Sequence, residues 1–163
     1  MKIDCIDLFY VALPTITRTA DGTQDSLVVR IRTDNGLEGW GECDASPLVS
    51  MATYVMPMSH SNIINISEAL VGENMESPQD VIRLRAKAGE YGLDVQQLDH
   101  AVAGVEIAMW DVLGKHLKEP VWKMIGHPAS YKKLPYASVL FGNDPAETRT
   151  IAESIAGLRF RAA

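Results

Sequence analysis

Leu27-Val28-Val29-Arg30-Ile31-Arg32-Thr33-Asp34-Asn35-Gly36-Leu37-Glu38-Gly39-Trp40-Gly41-Glu42-Cys43 is the stretch whose reading decides the fold. It opens apolar and β-branched, then alternates, which is the signature of a strand with one buried face. Asn35-Gly36 marks a hairpin turn. The second run, Leu37 to Cys43, alternates large and small residues, and Gly39 and Gly41 share one face. Two antiparallel strands follow.

Working outward, residues 2–13 are rich in apolar, β-branched and aromatic types and form a third strand, ended by Pro14. The polar stretch from Thr15 to Asp25 contains Asp21-Gly22 and reads as a loop. The chain therefore opens as a three-stranded antiparallel meander. Beyond residue 59 the hydrophobic period changes from 2 to 3.6. A helix is expected from Ser61 to Val71, stopped by Gly72. Another starts at Ser77-Pro78-Gln79-Asp80, with Ser77 as N-cap and Pro78 at the first helical position. It places Val81, Leu84, Ala88 and Tyr91 on one face. A third carries the apolar stripe Leu98, Ala101, Val102, Val105, Ala108, Met109, Val112 and Leu113, with Gly114 near its end and a break at Glu119-Pro120. A short apolar turn, Val121 to Ile125, runs to Gly126.

The tail has a different character. Leu134 to Phe141 is a nearly continuous apolar run, as in a strand buried on both faces. Asn143-Asp144-Pro145 starts a helix ending near Gly157, and Leu158 to Ala163 reads as another strand. Strand–helix–strand is the unit of a parallel sheet. A chain ending in that second strand leaves an unfinished sheet. Either residues are missing after Ala163 or a partner supplies the rest.

The chain has 163 residues, of which 47% are hydrophobic and 22% charged, so a packed globular domain is expected. Its formal net charge of −6 argues against nucleic acid and against anionic membranes as partners. No apolar run reaches the ~20 residues of a membrane-spanning helix. Asp4 and Asp7 interrupt the N-terminal segment, so it is not a signal peptide. A cytoplasmic location follows, and with it reduced, structural thiols at Cys5 and Cys43. The Asn65-Ile66-Ser67 sequon then carries no meaning.

Two segments carry a resemblance. Leu27 to Glu42 resembles the hairpin of the enolase-superfamily capping domain. Ala101-Val-Ala-Gly-Val-Glu-Ile-Ala-Met-Trp-Asp-Val-Leu-Gly-Lys115, with Glu119 to Gly126 after it, resembles that domain's long helix and its exit. In this order and separation they are specific to the mandelate racemase and muconate lactonizing enzyme branch. The resemblance implies an α+β capping domain over residues 1–130, a three-stranded antiparallel meander followed by helices. The first βα unit of a truncated (β/α)8 barrel then occupies 134–163.

In that family a proton is abstracted from the carbon next to a carboxylate. Bound Mg²⁺ stabilises the enediolate, and a barrel lysine or histidine is the base. The metal carboxylates stand at the ends of the third to fifth barrel strands, and a Lys-x-Lys motif at the end of the second. The resemblance therefore assigns no catalytic and no metal-binding residue to this chain, and implies that the chain alone is inactive. The parent is expected to be an acid-sugar dehydratase, a racemase or a cycloisomerase acting on a small carboxylate. A homo-oligomer is common in the family, though no residue here establishes one.

The capping loops are the exception. In the family they close over the barrel mouth and set specificity. They correspond here to Thr15–Asp25, with Arg18, Thr19 and Asp21 as polar candidates, and to Ser46–His60, where Met51, Met56, Met58 and His60 lie. Methionines suit an adaptable apolar lid. Elsewhere bland readings prevail. Glu42 and Asp44 read as a strand end turning to solvent, and Glu106 and Asp111 as internal hydrogen-bonding or ion-pair partners. His60, His100, His116 and His127 lack metal-ligand spacing. Trp40, Trp110 and Trp122 read as core aromatics. The competing hypothesis is a stand-alone capping or interaction module that pairs with a separately encoded barrel.

Overall fold

A computed structural model describes residues 1–15, 25–43, 46–57, 64–90, 98–130, 132–133, 137–138 and 144–156. The chain divides into two compact units, one of Met1–Val11 and Asp25–Pro128, the other of Ala12–Gln24 and Ala129–Ala163.

The first unit is the expected meander with helices. Strands β1 (Ile3–Val11), β2 (Ser26–Thr33) and β3 (Glu38–Cys43) form an antiparallel sheet in the order β1-β2-β3. The turn between β2 and β3 is closed by Gly36 N–H to the Thr33 carbonyl at 2.9 Å and Thr33 N–H to the Leu37 carbonyl at 3.0 Å. Gly36 has φ +82°, so a glycine supplies the left-handed residue of a bulged hairpin.

Helices α1 (Pro47–Val55), α2 (Ile66–Leu70), α3 (Pro78–Glu90), α4 (Leu98–Leu117) and α5 (Val121–Met124) follow. Leu27, Val29 and Ile31 of β2 are buried on one sheet face, as are Ala101, Val105, Ala108, Met109 and Val112 of α4. Burial of each valine, leucine, isoleucine or methionine among them contributes roughly 1.5–3 kcal/mol, before the entropy cost of ordering it. Val81, Leu84 and Ala88 of α3 are buried as their spacing requires, and Tyr91 lies outside the described residues.

Glycines set how closely the long helix approaches the sheet. A Cβ on Gly41 would lie 2.0 Å from the Gly104 carbonyl oxygen, and one on Gly39 would lie 2.1 Å from that of Ala108. A Cβ on Gly104 would lie 2.3 Å from Cys43 Sγ. The alternation of large and small residues in β3 is thus a helix–strand seam with backbone against backbone. Asp111 fastens the same seam, accepting the Trp40 N–H at 2.8 Å and the Lys115 ammonium at 2.8 Å. Glu106 accepts from Arg85 at 2.8 Å and from the Trp110 indole at 3.4 Å. Both acids have the internal bonding role expected of them.

Capping explains the helix ends. Ser77 Oγ accepts the Asp80 N–H, and Asp80 Oδ2 accepts the Ser77 N–H at 3.0 Å, a reciprocal capping box. Lys118 stands at φ +55° after α4, where glycine is usual, and Glu119 N–H closes back on the Gly114 carbonyl at 3.0 Å. Lys118→Gly is expected to stabilise the chain by about 0.5–1 kcal/mol, seen as a rise in the urea midpoint at constant slope.

Three expectations are corrected. The helix expected from Ser61 begins at Ile66, because Asn65 is its N-cap: Asn65 Oδ1 accepts the Glu68 N–H at 2.8 Å, while Nδ2 donates to the Met56 carbonyl at 2.9 Å. The segment read as a loop from Ser46 to His60 contains α1. Trp40 and Trp122 are not core residues, being 41% and 37% exposed. Trp40 instead stacks on Phe9 across the outer sheet face, with ring centroids 5.6 Å apart. The Arg30 guanidinium lies 5.4 Å and 5.3 Å from those two rings and also pairs with Asp7 and Glu38.

Three hydrogen-bonded carboxylates also set an acid limit. Hydrogen bonding from Arg32 holds the Asp7 carboxyl below the usual range, Lys87 and Arg83 do so for Glu73, and Ser77 for Asp80. A depressed folded-state pKa gives stability that is present at neutral pH and lost as pH falls through the folded value. The melting temperature is expected to fall between about pH 5 and pH 3, and less steeply in Asp7→Asn.

In the second unit, α6 (Pro145–Ala156) begins where Asn143-Asp144-Pro145 predicts, with Asp144 Oδ1 accepting the Ala146 and Glu147 N–H groups at 2.8 Å. Most of Leu134–Phe141 and all of Leu158–Ala163 lie outside the described residues, so the two expected barrel strands do too.

Candidate functional site

The candidate site is the end of the first unit's sheet where the chain leaves β1 at Val11, re-enters at Asp25 and leaves β3 at Cys43 toward α1. The Tyr10 hydroxyl donates to Asp25, and Ser26 Oγ donates to Glu42 at 2.5 Å. Beneath them Tyr54 of α1 is fully buried, and its hydroxyl donates to the Ala101 carbonyl of α4 at 2.5 Å. Cys43 Sγ lies 3.8 Å from that hydroxyl. Burial pushes the Cys43 thiol and the Tyr54 phenol up, so neither ionises at neutral pH. Burial likewise raises the Cys5 thiol. Both cysteines are free, Cys43 buried and Cys5 half-buried.

Helix α1 is the unusual element here. Its sequence, Pro47-Leu-Val-Ser-Met-Ala-Thr-Tyr-Val55, holds no charge. Its buried residues are Ser50, Thr53 and Tyr54, while Leu48, Val49 and Val55 are 61%, 45% and 62% exposed. The polar residues face in and the aliphatic ones face out. Thr53 Oγ1 is satisfied by the Ser50 carbonyl at 2.7 Å, but buried Ser50 Oγ has no partner within the described protein. This is the reverse of a surface helix on a soluble domain.

Of the candidate residues, Met56 is half-buried at the C-cap of α1, and its carbonyl takes the Asn65 amide. Arg18, Thr19, Asp21 and His60 lie outside the described residues, as do Asp44 and Met58. Glu42 is engaged by Ser26, His116 by Glu76 at 3.2 Å, and His100 and His127 are exposed. An open concavity of about 370 Å³ at the end of α4 is lined by Asp111, Lys115, Lys118 and Glu119. Asp111 and Lys115 there tie helix to strand, Lys115 also donating to the Glu38 carbonyl at 2.7 Å. Among the described residues no three His, Cys, Asp or Glu side chains gather as a metal site.

What the geometry offers is a hydrogen-bonded sheet end with two chain exits and an apolar helix beside them. The description that matches residues 8–126 is that of the mandelate racemase / muconate lactonizing enzyme N-terminal domain. The chain belongs to this family. Curated relatives of this chain include a dehydratase and a racemase. One is a D-galactonate dehydratase from Klebsiella pneumoniae (strain 342), 30% identical over 82% of this chain and 33% of its own length. The other is an N-succinyl-L-Arg/Lys racemase from Bacillus cereus, 28% identical over 95% of this chain and 41% of its own. A solved structure of a predicted mandelate racemase from Rhodobacter sphaeroides is 43% identical, with a TM-score of 0.86 over 98% of this chain and 40% of that one. A family structure from Paracoccus denitrificans, 24% identical with a TM-score of 0.59 over 77% of this chain and 30% of that one, is complexed with magnesium. This chain spans less than half the length of each of these four.

Sequence reasoning missed α1 and the pairing of four residues at the sheet end, although Glu42 is the exposed strand end expected. Tyr10, Asp25, Ser26 and Glu42 leave no motif, since their pairing depends on strand register. The inward Ser50 and Thr53 at helical spacing were the available signal for α1.

Proposed function

We propose that this chain is the N-terminal capping part, residues 1–130, of an Mg²⁺-dependent enzyme that abstracts a proton from the carbon next to a carboxylate. Residues 134–163 begin the barrel that carries the chemistry. The reaction class is acid-sugar dehydration, racemisation or cycloisomerisation of a small carboxylate, in the cytoplasm. The family match over residues 8–126 carries this reading. The outward aliphatic face of α1 supports it, because a capping domain needs a dry surface toward what it caps. In this reading the ion and the base belong to the barrel; among the described residues no three His, Cys, Asp or Glu side chains gather as a metal site. This chain's own part is to hold the two segments, 15–25 and 46–60, that contact the substrate, with Arg18, Thr19, Asp21, Met56 and His60 as contact candidates.

Loss of the α-proton to D₂O, followed by NMR on galactonate and N-succinyl amino acids with Mg²⁺, tests this. The 163-residue chain is expected to be inert and a polypeptide that includes the barrel active. Exchange catalysed by the 163 residues alone would overturn the assignment of the chemistry to the barrel. An inert barrel-bearing polypeptide would favour the capping module as an interaction domain.

A further inference from the structure

Asp25 and Ser26 are consecutive residues that reach in opposite directions. Asp25 accepts the hydroxyl of Tyr10 on β1, and Ser26 donates to Glu42 on β3. The register places Val11 opposite Ser26, Tyr10 opposite Leu27 and Leu27 opposite Cys43, so these bonds sit at the last rungs of both ladders. Strand ends open first. Both acceptors are carboxylates, and charge-assisted bonds of this kind are stronger than neutral ones. Beside this end, buried Leu27 and Cys43 anchor the inner face, while Tyr10 is 42% exposed.

We infer that Tyr10–Asp25 and Ser26–Glu42 form one latch that holds the ends of all three strands as a single body. It fixes the spacing between the chain's exit at Val11 and its exit at Cys43. This rests on the function proposed above, in which both exits lead to substrate-contacting segments. Tyr10, Asp25, Ser26 and Glu42 are then positioning residues for substrate binding and not catalytic residues.

The test has two arms. In the 163-residue chain, Tyr10→Phe combined with Ser26→Ala removes both hydroxyls with little change in volume. Amide exchange at Val11, Ser26, Leu27 and Cys43 is expected to accelerate about tenfold, as loss of two modest bonds allows, with Ile31 and Arg32 unchanged. Unchanged exchange at the four amides, or acceleration along the whole ladder, overturns the latch. In the barrel-bearing polypeptide the same pair of changes is expected to raise KM about tenfold with kcat within twofold, and Ser26→Thr, which keeps the hydroxyl, to preserve the parent KM. Faster exchange with unchanged KM overturns the positioning role. An unmodified polypeptide without turnover sinks the proposed function instead, and the exchange arm still decides the latch.

Discussion

Gly41→Ala is expected to cost the first unit about 3 kcal/mol or more, at the upper end of overpacking effects. The added methyl would meet the Gly104 carbonyl oxygen at 2.0 Å and the Ala108 nitrogen at 2.9 Å. Those atoms belong to the backbone of a twenty-residue helix, so no rotamer change relieves the clash. Either α4 moves off the sheet, opening the contacts of Val105, Ala108 and Val112, or β3 shifts and loses the Trp40 N–H bond to Asp111. Gly104→Ala should cost less, because the atom it meets at 2.3 Å is the side-chain Cys43 Sγ and the nearest backbone atoms lie at 3.3 Å. The internal control is Gly89→Ala. A Cβ there meets nothing within 4 Å, its φ is not left-handed, and it lies in α3. That change should stabilise by up to ~1 kcal/mol through helix propensity. Urea unfolding of the three variants checks the contrast. A Gly41→Ala midpoint equal to that of the parent would show that the seam is not as close as described.

The same glycines show what could be read from residues alone. Their alternation with Glu38, Trp40 and Glu42 placed the strand and its two faces, because period 2 is a local property. The stripe of α4 was legible for the same reason at period 3.6. That Gly39 and Gly41 receive a helix backbone was not legible, since it depends on which element crosses them. Trp40 shows a limit of composition. A tryptophan beside two inward glycines must point outward, yet its type alone suggested a core aromatic; stacking with Phe9 and Arg30 gives it a partner outside the core. Asn65 was hidden by the more conspicuous Ser61, although its side chain both caps α2 and holds the end of α1. At the candidate site, Met56 was placed near a structural joint, but within a helix-bearing segment and not a loop.

Helix α1 escaped notice because it inverts the rule by which helices are found, and the inversion leads to the second large effect. Leu48→Asp and Val55→Asp are expected to leave the stability of the 163-residue chain within about 0.5 kcal/mol, because both side chains are more than half exposed. Ser50→Ala should raise it by about 1 kcal/mol, removing a buried hydroxyl without a partner in the described protein. The proposed function requires the opposite ranking in a barrel-bearing polypeptide. There the outward aliphatic face meets the capped surface, and a carboxylate placed in that contact must be desolvated without a partner. The loss in kcat/KM for Leu48→Asp with Val55→Asp should reach at least about a hundredfold, the scale of a few kcal/mol, while Ser50→Ala stays near the parent value. Thermal melts of the short chain set beside kcat/KM of the long one separate the two roles. Equal kcat/KM for the aspartate variants and the parent would mean that α1 faces solvent in the whole protein, and its exposed leucine and valines would then need a different explanation.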